Sequence, residues 1–592
     1  MYRAPLRELR FVLEELLQAQ GLAQYPGLAD YSSDVAESIL GEAGRFAETV
    51  LDPINRSGDE QGARWTPEGV VAAPGFRDAY QQFVAGGWPQ LGTDPEYGGQ
   101  VVPQVLVTAV QEIWGSANLA FKLCPMLTHG AVHALELSGT PQQKRTFLPK
   151  MVSGEWTGTM NLTEPQAGSD LAQIRTRAVP EGAHYRLFGQ KIFITWGDHD
   201  CTTNIIHMVL GRIEGAPAGV RGISLFIVPK VLVNDDGTPG KPNDVRCVSI
   251  EHKLGIHASP TCVLAYGEKD GALGYLVGKA NHGLEYMFIM MNAARLSVGL
   301  EGYAVGERSY QQAAEYARTR IQGKPPVAQG DGPVPIIHHP DIKRMLLTMK
   351  ATTESCRAVS MYTAYQLDLA SHHPDEKQRA AAQARGDLLI PIVKGWCTET
   401  GNQVANIGVQ VHGGMGFIEE TGAAQYVRDA RITTIYEGTT GIQSNDLIGR
   451  KIGRDGGAAM NLLLADMGRE LEGLEAKDPA TTATRAAALE AAGLLKDATQ
   501  SLVKALSSRP EAAMAVSVPY LMLCGYVMGG WLLARSSAIA AKNLQGPDRS
   551  FYESKIHTAR FYASQVLPNA LALARIVQTG ADSVIDTEAA LI

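Results

Sequence analysis

The sequence predicts an α+β chain: a helical N-terminal domain, a central antiparallel β domain, a helical bundle, and an additional helical C-terminal domain. Three observations point to that order. Helix-period apolar patterns fill the N-terminal region. Short β-rich runs separated by Gly, Pro and Asp crowd between Thr157 and Gly278. Long helical patterns return after Asn281 and continue through the Ala/Leu-rich end of the chain.

Each element has its own justification. "MYRAPLRELRFVLEELL" carries charges inside an apolar pattern, so it reads as an amphipathic helix and not as a signal peptide. The helical pattern then runs to about Gln104, broken by "RWTPEGVVAAPGF" and by the loop "GGWPQLGTDPEYGGQ", and resumes from Val105 to Leu148. "YRLFGQKIFITWG", "IIHMVLG", "GISLFIVP", "CVSIEHKLG" and "PTCVLAYG" are the strands. Three long helical patterns follow. The first begins at "GLEYMFIMMNAARL", the second at "DIKRMLLTMK" after the Pro/Gly stretch "GKPPVAQGDGPVPIIHHP", and the third spans about Lys377 to Val411. Together they predict a helical bundle. Beyond about Lys451, Leu495, Ala498, Leu502 and Leu506 share one helix face. The expected divisions are residues 1–40, 41–156, 157–280, 281–450 and 451–592.

A length of 592 residues gives room for about four domain-sized units. Apolar residues make up 45% and charged residues 19%, enough to bury a large core. A net charge of -8, with balanced charge after Lys451, argues against nucleic acid or an anionic membrane as the main partner. The seven cysteines fall in no metal-ligand spacing, which points to reduced thiols and the cytoplasm. His338–His339 and His372–His373 likewise lack metal spacing and read as solvated loop residues, so no metal is expected. The run "PYLMLCGYVMGGWLLA" is short for a membrane span and reads as a buried helix, with peripheral membrane contact as its alternative.

One stretch carries a chemical signal. In "RITTIYEGTTGIQ", Glu437 lies between an aromatic and a glycine, with no cation beside it in the sequence. A carboxylate in a dry, apolar pocket has a raised pKa, which suits a general base working near neutrality. By itself the tetrapeptide "YEGT" fits an exposed loop glutamate equally well.

Read in order, "MNLTEPQAGSD" (160–170), "GQKIFITWG" (189–197), "NAARLSVGLEGYAVGE" (292–307), "QVHGGMGF" (410–417) and "RDARITTIYEGTTGIQ" (428–443) resemble the acyl-CoA dehydrogenase family. The match spans about Phe76 to Arg450. The helical N-terminus and the C-terminal domain resemble those of an enlarged bacterial subgroup of 3-methylmercaptopropionyl-CoA dehydrogenase-like enzymes.

The resemblance implies α,β-desaturation of an acyl-CoA to a trans-2-enoyl-CoA, with FAD as hydride acceptor and an electron-transfer flavoprotein as onward partner. Glu437 occupies the family's base position. The position that carries the base in some relatives is Ala294 here, which cannot serve. Tyr436, Gly438 and Arg295 would adjoin the substrate, with the Glu437 N–H helping to hold the thioester oxygen. Met160, Leu162 and Thr163 would line the flavin, and Gly168 and Ser169 would meet flavin phosphate or the CoA arm. Thr195 would face flavin N5, with Phe193 where the family usually has tryptophan. Arg320, Gln322, Gln410, Gly413 and Gly414 would reach the FAD of a neighbouring subunit, which implies a homodimer. Thr439 would meet FAD hydroxyls or phosphate, whereas Gly441 replaces a glutamine that contacts the adenine end. Two alternatives share the resemblance: an acyl-CoA oxidase, and a DNA-binding relative of the alkylation-response branch.

Overall fold

The structure is a computed structural model and describes residues 1–234, 236–326 and 332–591. Residues 327–331 of the Pro/Gly stretch lie outside that set. The chain forms two compact units, Met1–Gly44 with Pro103–Ser116 and Arg295–Ile592, and Arg45–Val102 with Ala117–Ala294.

The first unit is helical. Its principal helices are α1 (Gln104–Ala117), α2 (Gly283–Thr319, which enters the unit at Arg295), α3 (Pro340–His372), α4 (Glu376–His412), the short α5 (Thr440–Asn445), α6 (Pro479–Ser508), α7 (Ser517–Lys542) and α8 (Arg549–Phe561). Small residues set how closely they pack. A Cβ on Gly302 would meet the Cys397 carbonyl oxygen at 2.4 Å, and one on Gly401 would meet the Gly302 oxygen at 2.1 Å, so α2 and α4 touch backbone to backbone. Gly525 of α7 lies against the Trp396 ring, where a Cβ would come within 2.1 Å of it. These glycines accept the entropic cost of a helix interior because nothing larger fits.

Burial here includes charge, which is retained only where it is paired. Arg357 is fully buried and meets Glu112 at 2.6 Å and Glu307 at 2.8 Å. Lys555 of α8 bridges Glu8 at 2.6 Å and Glu354 at 2.7 Å. The N-terminal amphipathic segment is therefore part of this core, with Tyr2, Leu9, Phe11, Val12 and Leu13 buried beside Glu8. Asp368 of α3 accepts from the first backbone N–H groups of α1, Gln104 at 2.6 Å and Val105 at 3.0 Å, and so caps that helix.

The expected apolar run lies inside α7. This is one helix of the described residues long and apolar enough to cross a membrane, yet 83% of its apolar window is buried in the protein. His338 is exposed, as expected, but the other three paired histidines are engaged by the protein. His372 ends α3 and bonds the Pro26 carbonyl at 3.2 Å, His373 stacks on Tyr25 at 5.1 Å, and His339 bonds the Gln322 carbonyl at 2.8 Å.

The second unit combines helices with an eight-stranded sheet. Its strands are β1 (Trp156–Asn161), β2 (Arg177–Glu181), β3 (His184–Thr195), β4 (Asn204–Ile213), β5 (Ile223–Pro229), β6 (Val245–Ile250), β7 (Thr261–Tyr266) and β8 (Ala272–Val277). The order is β6-β7-β3-β8-β5-β4-β1, with β2 pairing both β3 and β4. Most pairs are antiparallel, as expected. The exceptions are β1 on β4 and β2 on β4, which run parallel. Alternation alone carries no strand direction, which is why the sequence did not show this. An aromatic cluster of Phe46, Phe76, Phe83, Phe121 and Trp196 fills the helical side, with centroids 5.8–6.5 Å apart.

Candidate active site

The candidate residues fall into two sets, one in each unit. In the helical unit the segment after Thr434 is a tight turn leading into α5. Glu437 sits there with φ 54°, the left-handed region that side chains rarely adopt, and Gly438 follows at φ 90°. A non-glycine residue held there costs of order 1–3 kcal/mol, which the surroundings must over-determine. Gln443 does so. Its amide donates to the Glu437 carbonyl at 3.0 Å and to the Gly438 carbonyl at 3.4 Å. A Cβ at position 438 would meet that amide nitrogen at 2.7 Å, so both conformation and space require glycine.

The Glu437 side chain is half-buried, and its pKa is pushed up to about 7. Desolvation is the largest cause, opposed by the positive charges of Lys394 and Arg295 and reinforced by Glu301. The raised value fits the sequence expectation. The absence of a cation does not survive: α4 brings Lys394 and α2 brings Arg295 into electrostatic range. Arg295 is itself buried and paired with Asp446 at 2.9 Å. Tyr436 donates its hydroxyl to Glu301, also buried on α2. Thr439 is exposed and caps α5, its Oγ1 accepting from the Ile442 N–H at 3.2 Å.

A second group of candidates lies at the far end of α2 and α4. Tyr316 packs on His412 at 4.5 Å, which brings the two helix ends together. Arg320, Gln322, Gln410, Gly413 and Gly414 are all exposed there. The Arg320 guanidinium reaches Gln322 at 3.5 Å, a weak contact. Gly413 ends α4 at φ 61° with open space where a Cβ would be. Beyond it Phe417 is 86% exposed.

In the other unit, β1 delivers Met160, which is buried, then Leu162 and Thr163, half-buried, and a loop in which Gly168 and Ser169 are exposed. Opposite β7, the ladder of β3 slips: Ile192 and Phe193 together face Val263. Such a bulge re-aims side chains. Phe193 leaves the ladder at φ 59° and stands 58% exposed, two residues before the half-buried Thr195.

Two residues inside the quoted motifs, given no role from sequence, hold this loop. Lys191 donates to the Leu162 carbonyl and to Glu164, both at 2.8 Å. Glu164 also accepts from the N–H groups of Arg175 at 2.6 Å and Thr176 at 3.1 Å. Burial raises the Glu164 carboxyl, but Lys191 and these donors outweigh it, and the pKa falls to about 2. Lys394, Gln443 and Glu301 were missed as well. Lys394 left a visible trace, a lone cation in the apolar run "LLIPIVKGWC". Among the described residues no cluster of His, Cys, Asp or Glu is arranged to hold a metal.

The residues of the second unit fit the isoalloxazine and the phosphates of FAD in kind. An exposed aromatic and a hydroxyl stand on β3, and an exposed Gly-Ser loop follows β1.

Comparison with known proteins follows the same lines. Family models described as acyl-CoA dehydrogenase N-terminal domain, middle domain and C-terminal domain match residues 33–155, 159–267 and 281–452. A model described as acetyl-CoA dehydrogenase C-terminal like matches 463–588. The chain is 48% identical to 3-methylmercaptopropionyl-CoA dehydrogenase of Ruegeria pomeroyi over 98% of each chain. It is 34% identical to the broad-specificity linear acyl-CoA dehydrogenase FadE5 of Mycobacterium tuberculosis, over 98% of this chain and 97% of that one. Among solved structures, Caenorhabditis elegans ACDH-11 in complex with C11-CoA aligns over 100% of this chain and 96% of that one, with TM-score 0.78 and 20% identity. A Bacillus anthracis acyl-CoA dehydrogenase complexed with FAD aligns over 96% and 91%, with TM-score 0.74 and 20% identity.

Proposed function

The chain belongs to the acyl-CoA dehydrogenase family, an FAD-dependent oxidoreductase acting on acyl-CoA, and from that premise we propose that it desaturates a fatty acyl-CoA or a 3-methylmercaptopropionyl-CoA-type substrate with Glu437 as the base. The observation that carries the assignment is the turn at Glu437: a glutamate held at φ 54°, with its pKa raised to about 7. FAD, when bound, supplies the acceptor for the hydride that leaves the β carbon. The chain's part is to orient the thioester and take the α proton onto the Glu437 carboxylate. Only the ionised carboxylate can accept it, so flavin reduction rises with pH through about 7. Ser169, Arg295, Tyr436 and Gly438 adjoin the substrate on this reading. Met160, Leu162, Thr163, Gly168, Phe193 and Thr195 face the flavin of their own subunit, and Thr439 lies near its hydroxyls or phosphate. Electrons pass to an electron-transfer flavoprotein, and trans-2-enoyl-CoA leaves.

The test is anaerobic bleaching of the bound flavin across a ladder of acyl-CoAs that includes butyryl-CoA and 3-methylmercaptopropionyl-CoA. Bleaching by at least one member is expected, with transfer to an artificial acceptor. No bleaching by any member overturns the proposal, and aerobic peroxide formation at the same rate makes the enzyme an oxidase.

The proposed assembly is a cytoplasmic homodimer in which Arg320, Gln322, Gln410, Gly413 and Gly414 reach the partner's FAD. Their common exposure at one end of the bundle supports this, and the thiols, all free and all but Cys201 buried, suit a reducing compartment. Arg320→Ala removes a charge-assisted contact and weakens FAD binding by about 1.5–3 kcal/mol, roughly 10–150-fold. Dimers of this variant dissociate more readily at low FAD, because a ligand bridging two chains stabilises their association. A monomer that holds FAD as tightly as the oligomer refutes the shared site. The five-part division expected from sequence is proposed for the domains, with protease nicking between parts as its check.

A further inference from the structure

Lys394 is a buried cation that the assigned chemistry leaves without a task. It lies mid-way along α4, fully buried, and its ammonium finds no hydrogen-bond acceptor among the described residues. A buried charge in that state is expensive and is ordinarily paired or replaced. The helix is fixed on two sides around it. On one side a Cβ on Gly299 of α2 would meet Val393 at 2.6 Å, and one on Gly302 would meet the Cys397 oxygen at 2.4 Å. On the other, Leu521 of α7 sits where a Cβ on Gly395 would be, 2.7 Å away, and Tyr526 packs edge-on to Trp396 at 5.9 Å. The ammonium therefore cannot escape by helix rotation, and its stem begins one residue from a glycine and two from a tryptophan already locked into the core.

The charged groups within electrostatic reach of it come from three elements. α2 contributes Glu301, whose carboxylate takes the Tyr436 hydroxyl, and Arg295, whose guanidinium is tied to Asp446. α4 contributes Glu399, which accepts from Thr440 at 2.6 Å. The turn before α5 contributes Glu437. The residue that α7 presents at this point, Leu521, carries no charge. Glu301 and Glu399 thus already hold donors. Glu437 is the carboxylate in range with no side-chain donor assigned to it, and Lys394 is the cation in range with no acceptor.

We propose that Lys394 is a positioning residue for the base, a fixed ammonium whose field holds the Glu437 carboxylate ionised in its half-buried turn and sets the pH at which it can take the α proton. The inference rests on the reading of Glu437 as the base. Burial pulls the Lys394 pKa down to about 8, and Glu437, Glu301 and Glu399 hold it there against Arg295. It therefore remains largely protonated at the pH where Glu437 ionises. After proton transfer Glu437 is neutral, and the ammonium loses its attraction to that group. The same field thus disfavours the protonated product state slightly, which helps to return the base to its ionised form once product leaves.

The experiment compares wild type with Lys394→Met, which keeps the length of the stem and removes the charge. Each holoenzyme is mixed anaerobically with butyryl-CoA, or with whichever ladder member bleaches wild type fastest, and flavin reduction is followed from pH 5.5 to 9.5. The expected result is an acid limb displaced upward by about one to three units, the range for losing an opposite charge near a carboxylate. For a one-unit displacement the rate falls about 10-fold near pH 6.5 and approaches wild type near pH 9; a larger displacement deepens the loss at pH 6.5 and carries it to higher pH. Lys394→Arg restores most of the shift. Because the ammonium makes no hydrogen bond, Lys394→Met also melts at or above the wild-type temperature, whereas a structural lysine would lose stability on replacement.

An acid limb unmoved in a flavin-replete Lys394→Met enzyme overturns the proposal, and so does a uniform loss of rate at every pH. If Lys394→Met does not fold, that overturns the claim that the lysine is unpartnered, and Lys394→Gln then decides the pH shift. The underlying reading fails separately and visibly. It fails if wild type is bleached by no acyl-CoA, or if Glu437→Gln is bleached normally, and neither result depends on Lys394.

Discussion

Glu437→Gln gives a protein that keeps FAD and binds acyl-CoA yet reduces its flavin at least about 10²-fold more slowly, the loss expected for deleting a general base. Glutamine matches glutamate in shape, so the left-handed turn at φ 54° and the Gln443 clamp on its carbonyl are expected to persist. What disappears is the lone pair able to take the α proton. The loss falls on the reduction step and not on binding, so stopped-flow bleaching at saturating acyl-CoA is the measurement. It is pH-independent in this variant, whereas wild type gains rate through about pH 7. Bleaching of the glutamine variant within a few-fold of wild type would exclude Glu437 as the base. The second carboxylate in the neighbourhood, Glu301, would then be the next residue to replace.

Deleting the chain after Gly449 is expected to leave an insoluble remnant. The reason is what α7 and α8 cover. Trp396 packs against Gly525 and Tyr526, Ser355 against Gly529, Gly395 against Leu521, and Tyr362 edge-on to Trp531 at 5.1 Å. Exposing one tryptophan-sized surface costs about 4–6 kcal/mol at 25 cal/mol per Å². Several such surfaces exceed the 5–15 kcal/mol by which proteins are ordinarily stable. The deletion also removes Lys555 and leaves Glu8 and Glu354 buried without it. Soluble yield and aggregation by light scattering measure the outcome. A soluble, active truncation would show that the helix serves another surface, such as a membrane. A milder probe is Gly525→Val, which forces a side chain into the Trp396 ring and destabilises by about 1–3 kcal/mol or more.

Much of the candidate site was legible because its signals are local. "IYEGT" marked the proposed base, and the same five residues produce the positive φ at Glu437 and Gly438. "KIFITWG" marked Phe193 and Thr195, and a bulge in that strand presents the aromatic. What escaped was every partner drawn from a distant part of the chain. Lys394 lies 43 positions before Glu437 and Glu301 lies 135 positions before Tyr436. Nothing in either neighbourhood names the other. The reasoning that Glu437 has no cation beside it was true of the sequence and false of the space, because α4 runs back past the turn.

The sequence by itself determined the order of helical and β segments, the buried character of the apolar run in α7, and the residue type at the proposed base. Helical and strand periodicity, glycine conformation and carboxylate chemistry all act within a few residues of one another. The tertiary structure alone decided the parallel pairing of β1 and β2 on β4, the union of the N-terminal segment with α8 through Glu8 and Lys555, and the electrostatic setting of Glu437. Strand direction is fixed by which edges meet. Charge acts through distance and through the exclusion of water, and both are properties of packed helices, set where Gly302 and Gly401 let α2 and α4 close on each other.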